Sequence, residues 1–184
     1  MAVDVVPGRI ADVMEFVPHV HRDHRGFFTR TFDAAVARAA GLDPDAFVQD
    51  SQSRSSLGGI RGLHVRRSPG EAKLVRCAHG AVFDVVVDLR PTSPTYLQWE
   101  TFRLDDVDHH VLHVPRGCAH GWQALTATAD VCYRIDAEHE PGSGLTAAYD
   151  DPVLGIPWPL PAGEMSQADR AAPSLAEVLA VLNG

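Results

Sequence analysis

Cysteine is scarce in this chain: only Cys77, Cys118 and Cys132 are present, an odd number at wide spacing. That excludes a disulfide framework and a cysteine-built zinc site, and reduced, mostly buried thiols are expected. Basic residues are outnumbered, 16 Lys and Arg against 24 Asp and Glu, giving a net charge of -8. DNA or RNA is repelled by such a surface on average, so no nucleic-acid partner is expected. A small anionic ligand needs only a local basic cluster. No run approaches the roughly 18 apolar residues of a membrane span, so no membrane association is expected. Met1 to Ile10 lacks a basic stretch followed by an apolar one, so no signal peptide is expected and the location is read as cytoplasmic. Internal repeats and low-complexity linkers are absent, and helical patterns are few. With 184 residues, 45% of them hydrophobic, the chain suits a single domain, 1–184, with a core that needs no staple.

What is present reads as β-structure. Lys73 to Cys77 and Ala81 to Leu89 are strands joined by a His79-Gly80 turn, the second rich in valine. Leu97 to Leu104 and His110 to Val114 flank the polar turn Asp105 to Asp108. Pro115-Arg116-Gly117 breaks the pattern, and Trp122 to Leu125 and Val131 to Ile135 pair around Thr126 to Asp130. Short strands at these intervals predict an all-β sandwich or barrel. Two short helices are expected at the periphery. One, over Asp33 to Ala40, stops at Gly41; the other, over Ser174 to Leu182, opens with a capping-box pattern, Ser174 and Glu177. Pro152 to Pro161 is expected to be a loop. The barrel core is placed at about 45–140 and a helical tail at about 162–184.

Three clusters carry residue types suited to chemistry. They are Asp23-His24-Arg25-Gly26-Phe27-Phe28; Gln49-Asp50-Ser51 with Gly59 to His64 and Lys73; and Pro115 to Gly121 with Tyr133-Arg134. Pro-x-Gly-x-x-His, ending at His120, is a half-motif of cupin barrels. A metal-binding cupin also needs His-x-His upstream, and here His64 is followed by Arg66 at that place. Arginine cannot ligate a cation, so no metal is expected. Taken singly, each residue has a plain reading. His64 and His120 suit structural histidines, Lys73 a solvated strand position and Tyr133 a core aromatic. Asp169 and Arg25 suit turn positions, and His109, His110 and His113 suit turn and strand surface.

In combination the motifs are more specific. Asp-x-Arg-Gly-x-Phe (Asp23 to Phe28), Phe-Val-Gln-Asp (Phe47 to Asp50), Arg-Gly-Leu-His (Arg61 to His64) and Ala-Lys-Leu-Val-Arg (Ala72 to Arg76) occur in order. They are followed by Asp-Val-x-Val-Asp-x-Arg (Asp84 to Arg90), Ser-Pro-Thr (Ser93 to Thr95), Ala-His-Gly (Ala119 to Gly121) and Trp-Pro (Trp158-Pro159). Over about residues 10 to 175 the chain resembles the dTDP-4-dehydrorhamnose 3,5-epimerase family. The resemblance implies a cupin-like jelly-roll β-barrel, no cofactor, and a homodimer in which N-terminal residues help complete the neighbour's site. It implies a nucleotide-sugar substrate, a dTDP-4-keto-6-deoxyhexose, whose carbons beside the ketone are deprotonated and reprotonated from the opposite face. By the same resemblance His64 is the base, Asp169 its orienting carboxylate, Lys73 the stabiliser of the enolate oxygen and Tyr133 the acid. Arg25, Arg61 and His120 hold the diphosphate and sugar, and Phe28, Arg30, Gln49, Ser51 and His139 complete the binding set. A neutral imidazole is the right kind of base near pH 7.

Several positions depart from the family pattern. Arg30 stands where glutamate is usual, Ser51 where asparagine is, Arg66 where glutamine is, and Gly144 where an acidic residue is common. His139 stands where a tyrosine stacks on thymine. These changes touch binding and leave the acid–base set in place. They keep open a monofunctional 3-epimerase or 5-epimerase, beside the more distant readings of a 3,4-ketoisomerase or a non-catalytic sugar-nucleotide binding module.

Overall fold

A β-strand sends successive side chains to opposite faces, and that alternation organises the molecule, seen here in a computed structural model that describes residues 3–184. In chain order the elements are β1 (Val3–Pro7), β2 (Met14–Pro18), β3 (His21–Asp23), β4 (Gly26–Phe28), α1 (Ala34–Ala39), a 3-10 turn (Pro44–Ala46), β5 (Gln49–Ser56) and β6 (Ile60–Arg66). There follow β7 (Lys73–His79), β8 (Ala81–Asp88), β9 (Trp99–Asp105), β10 (Val111–Val114), β11 (Cys118–Ala124), β12 (Thr128–Ile135), β13 (Gly144–Thr146), α2 (Gln167–Arg170) and α3 (Leu175–Leu182). One sheet has the order β1-β2-β10-β7-β12-β5, the other β13-β6-β11-β8-β9, and β3-β4 is a separate hairpin. The two large sheets form the cupin jelly roll. β1 and β2, upstream of residue 45, extend the six-stranded sheet.

The main core lies between the sheets. Val75 and Cys77 of β7 and Val131 of β12 meet Val82 and Val86 of β8, Leu104 of β9 and Trp122 of β11. The intervening residues of the five-stranded sheet, Leu63, Val65, Val85, Val87 and Ala119, face outward and are covered by Leu154 and by Leu175 and Val178 of α3. On the other outer face Leu74 and Val111 are covered by the segment carrying Phe32, Val36 and Phe47. Both helices expected at the periphery form. Asp33 caps α1 through the Ala35 and Val36 amides, and the Ser174–Glu177 capping box opens α3.

Some expectations change. The strand expected over Trp122 to Leu125 starts earlier, at Cys118. Ala-His-Gly therefore lies within a strand, because the inward His120 finds a buried carboxylate partner rather than water. β5, Gln-Asp-Ser-Gln-Ser-Arg-Ser-Ser, has no apolar residue, yet pairs with β12 along its whole length; its strand state comes from that partner. His109 and His113 are not surface residues. Both are buried, His113 donating from Nδ1 to the Asp12 carbonyl at 2.9 Å and His109 lying against the Phe27 ring at 4.3 Å. All three cysteines are free and buried, and burial pushes Cys77 and Cys118 up to about 12.

Candidate active site

Strand alternation carries one set of polar residues to the inner faces along with the core valines. Lys73 shares its face of β7 with Val75, Asp84 its face of β8 with Val82 and Val86, His120 its face of β11 with Trp122, and Tyr133 its face of β12 with Val131. His64 of β6 is the direct cross-strand partner of His120. Close approach of these two strands needs Gly62 and Gly121. Gly62 has φ +135°, and a Cβ built on it would stand 2.5 Å from the Gly121 Cα, which only glycine avoids. This is the physical content of the Arg-Gly-Leu-His and Ala-His-Gly motifs.

His64 donates from Nε2 to Asp169 Oδ1 at 2.7 Å. The carboxylate comes from the one-turn helix α2, capped by Ser166, whose hydroxyl accepts from the Asp169 amide at 3.0 Å and donates to Asp169 Oδ2 at 2.8 Å. The Asp169 side chain is 4% exposed and that of His64 44%, so the carboxylate is sealed behind a ring that reaches the solvent. Burial acts to raise the Asp169 carboxyl. Hydrogen bonds from His64, Ser166 and the Gly62 amide outweigh it and hold the carboxyl below its ordinary value. The cleft beside this pair, about 330 Å³ in volume, is lined by Arg54, Ser55, Arg61, Glu164, Ser166 and Asp169.

Deeper in the interior, His120 Nε2 lies 2.9 and 3.0 Å from the two Asp84 oxygens. Burial raises the Asp84 carboxyl, opposed by the pull of His120 and Lys73. The Tyr133 ring meets that of His120 edge-on at 6.5 Å. Trp122 Nε1 donates to the Tyr133 hydroxyl at 2.7 Å, and the Ser53 hydroxyl lies 3.0 Å from it. Burial pushes Tyr133 up to about 12, against the opposing effect of those two bonds. Lys73 Nζ sits 3.1 Å from Glu71 Oε1, and Glu71 Oε2 sits 3.3 Å from Arg66 Nη1.

The expected binding residues divide into two groups. Arg61 stands at the cleft mouth, held by Ser55 Oγ and the Arg54 carbonyl at 3.1 Å each, with its guanidinium 5.9 Å from the Trp122 ring centre. Gln49 and Ser51 share the face of β5 that carries Ser53. Arg25, Phe28 and Arg30 do not line the cleft beside Asp169. Arg25 pairs with Asp23 at 2.6 Å on the exposed β3-β4 hairpin, Phe28 is exposed there, and Arg30 pairs with Asp33 at 3.0 Å. His139 is exposed on the loop after β12. Sequence reasoning gave no role to Asp84, Glu71, Ser53, Trp122 or Ser166. Asp84 and Ser93-Pro94-Thr95 stood inside recognised motifs. Ser93 and Thr95 prove structural, donating to the buried Asp88 carboxylate at 2.5 and 2.7 Å.

A histidine hydrogen-bonded to a buried carboxylate, with a lysine and a tyrosine turned into the same jelly-roll interior, is a set of groups suited to acid–base chemistry of the kind an isomerase uses. Among the described residues no group of three or more His, Cys, Asp or Glu is placed to hold a metal ion. The profile of the dTDP-4-dehydrorhamnose 3,5-epimerase family matches residues 7–177, and the chain belongs to that family. It is 41% identical to the dTDP-4-dehydrorhamnose 3,5-epimerase of Mycobacterium tuberculosis over 95% of this chain and 87% of the relative. Among solved structures it is similar to NovW, a 4-keto-6-deoxy sugar epimerase from the novobiocin biosynthetic gene cluster of Streptomyces spheroides. That match has TM-score 0.93 and 37% identity over 98% of this chain and 92% of the other. It is equally similar to the dTDP-6-deoxy-D-glucose-3,5-epimerase of Legionella pneumophila in complex with dTDP-4-keto-L-rhamnose, with TM-score 0.92 and 37% identity over 98% and 97% of the two chains. The protein is thus an isomerase of deoxysugar biosynthesis, a nucleotide-sugar epimerase acting on C3, C5 or both of a dTDP-4-keto-6-deoxyhexose.

Proposed function

We propose that His64 removes the proton beside the ketone, that Asp169 orients His64 and stabilises its charged form, that Lys73 faces the enolate oxygen and that Tyr133 returns a proton from the opposite side of the sugar. The observation that carries this reading is the 2.7 Å bond between a half-exposed His64 and a buried Asp169. With Nε2 committed to the carboxylate, Nδ1 is the ring atom left for the substrate.

The energetics give each group a task. A ketone α-proton is less acidic than imidazolium by on the order of ten pKa units, each about 1.4 kcal/mol. A charged donor aimed at the oxygen recovers roughly 3–4 kcal/mol of that gap. Tyr133, pushed to about 12 by burial, carries its proton at neutral pH, and the Trp122 N–H pointing at its oxygen is placed to stabilise the phenolate left after donation. Arg61, His120, Gln49 and Ser51 hold the sugar and diphosphate from within the chain, an arginine fork suiting phosphate oxygens. Arg25, Phe28 and Arg30 act in a neighbour's site within a homodimer. Exposed Phe27 and Phe28, together with the exposed Val5 and Val6 of β1, give that contact an apolar surface. His139 stacks on the base. The whole chain works as one domain in the cytoplasm, with no cofactor, since base, acid and oxyanion stabiliser are all side chains.

Arg66 Nη1 donates to the Glu138 carbonyl at 2.8 Å and Nη2 lies 3.2 Å from Glu140 Oε2, so this departure from the family pattern engages the loop that presents His139. The test is proton NMR of dTDP-4-keto-6-deoxyglucose with the protein in D2O. Deuterium at C3 and C5 marks a 3,5-epimerase and deuterium at one centre a monofunctional enzyme. Absence of exchange with this and related nucleotide sugars would refute the acid–base assignment. Sedimentation equilibrium tests the dimer.

A further inference from the structure

Lys73 is useful to an enolate only if its ammonium stays in one place. A lysine side chain on its own has about 2 kcal/mol of rotamer entropy with which to wander. Two carboxylates act on it in the interior, Asp84 and Glu71. Asp84 places both oxygens within 3.0 Å of His120 Nε2, which leaves Glu71 as the anchor. Glu71 is itself fixed through its backbone. The Ala72 amide donates to Asp136 Oδ1 at 2.6 Å, the Ala72 carbonyl accepts from the Asp136 amide at 3.1 Å, and Arg116 Nη1 donates to the Gly70 carbonyl at 2.9 Å.

We propose that Glu71 is a positioning residue for Lys73, clamped in turn by Arg66, and that this chain of ions ties the Lys73 ammonium to the loop carrying His139. The inference rests on the reading of Lys73 as oxyanion stabiliser. Each Glu71 oxygen serves a different cation, Oε1 the Lys73 ammonium at 3.1 Å and Oε2 the Arg66 guanidinium at 3.3 Å. Arg66 lies on β6 two residues beyond His64, and therefore on the same face. It reaches onward to the Glu138 carbonyl and Glu140. The Lys73 and Arg66 side chains are 12% and 10% exposed. Two largely buried cations side by side repel strongly unless the carboxylate stands between them. Glu71 is thus the member on which the placement of both depends. Glu140, 68% exposed, is screened by water and contributes less.

The test compares kcat and KM for dTDP-4-keto-6-deoxyglucose in the full chain and in four variants: Glu71→Gln, Arg66→Gln, the double variant, and Lys73→Ala. Loss of a charge-assisted contact predicts that Glu71→Gln lowers kcat about ten- to a hundredfold while KM changes less than about threefold. The double variant removes the unbalanced arginine and lets a glutamine oxygen accept from Lys73. It is expected to regain at least about threefold over Glu71→Gln, a coupling that independent sites do not show. A merely structural role predicts instead that kcat, KM and Tm worsen together and that the double variant is no better than the worse single one; that pattern overturns the inference. Wild-type kcat in Glu71→Gln with a crippled Lys73→Ala overturns it too, leaving the role of Lys73 intact. Wild-type kcat in Lys73→Ala removes the underlying reading and the inference with it. Should Glu71→Gln not fold, Arg66→Gln decides: it leaves Glu71 beside Lys73 unclamped, and an unchanged kcat there overturns the clamp.

Discussion

Asp169→Asn is the sharpest perturbation of the proposed chemistry. The native carboxylate accepts from His64 Nε2 at 2.7 Å, from Ser166 Oγ at 2.8 Å and from the Gly62 amide. An asparagine has a single oxygen for these three donors, so its NH2 group must face at least one of them. If the oxygen stays on His64, tautomer and ring orientation survive and only the charge opposite the imidazolium is lost. If the amide turns over, its N–H meets Nε2 and holds the proton on Nδ1, the atom needed as base. A charge-assisted bond of this kind contributes about 1.5–3 kcal/mol. Taking the lower end, about 1.5 kcal/mol, because the His64 ring is 44% exposed and partly screened by water, kcat falls roughly tenfold, at about 1.4 kcal/mol per decade. KM should change little, because the imidazolium exists only after proton transfer. The assay is the rate of deuterium entry at C3 and C5 in D2O, with the mole fraction of epimerised product followed in parallel. A variant that exchanges within about threefold of wild type refutes the claim that Asp169 stabilises charge on His64.

The buried Asp84–His120 pair makes a stability prediction. Asp84→Ala leaves His120 unpaired at 3% exposure, a loss of about 3 kcal/mol, or roughly 6–12 °C in Tm for a chain of this size, to be read by calorimetry; an unchanged Tm contradicts it. Gly62→Ala places a Cβ 2.5 Å from the Gly121 Cα at φ +135°. It should therefore cost roughly 2 kcal/mol or more in urea unfolding, and an accommodated alanine would show that the strands do not need this approach. Tyr133 rises from 10.0 to about 12 on folding, so its contribution is whole below pH 10 and is lost as pH rises from 10 towards 12. That amounts to about 2–3 kcal/mol. Cys77 and Cys118, also raised to about 12, add to the same decline. Tyr133→Phe should flatten the decline in stability between about pH 10 and pH 12 by Tyr133's share, and an identical slope in the variant would place the hydroxyl in contact with solvent.

The sequence by itself determined the all-β class, the strands β7 and β8, and both peripheral helices, with the stop of the first at Gly41 and the capping box of the second. In each case the deciding interactions are local: valine alternation, a glycine turn, and a side-chain oxygen on an amide two or three residues ahead. It also carried the family, because ordered motifs survive as strings. The tertiary structure decided the rest. β5 has no apolar residue and is a strand only because β12 offers eight partners. Trp122 and Tyr133 lie eleven positions apart on neighbouring strands of opposite sheets and meet only when those sheets pack. His64 and Asp169, 105 residues apart, are joined only when α2 closes over β6. Glu71 shows no pattern in the string; its role emerges where Arg66 and Lys73, from different sheets, converge on its two oxygens. Local propensity acts over a few residues, whereas a site built across a barrel interior depends on which strands become neighbours, and that is set by burial of the whole core.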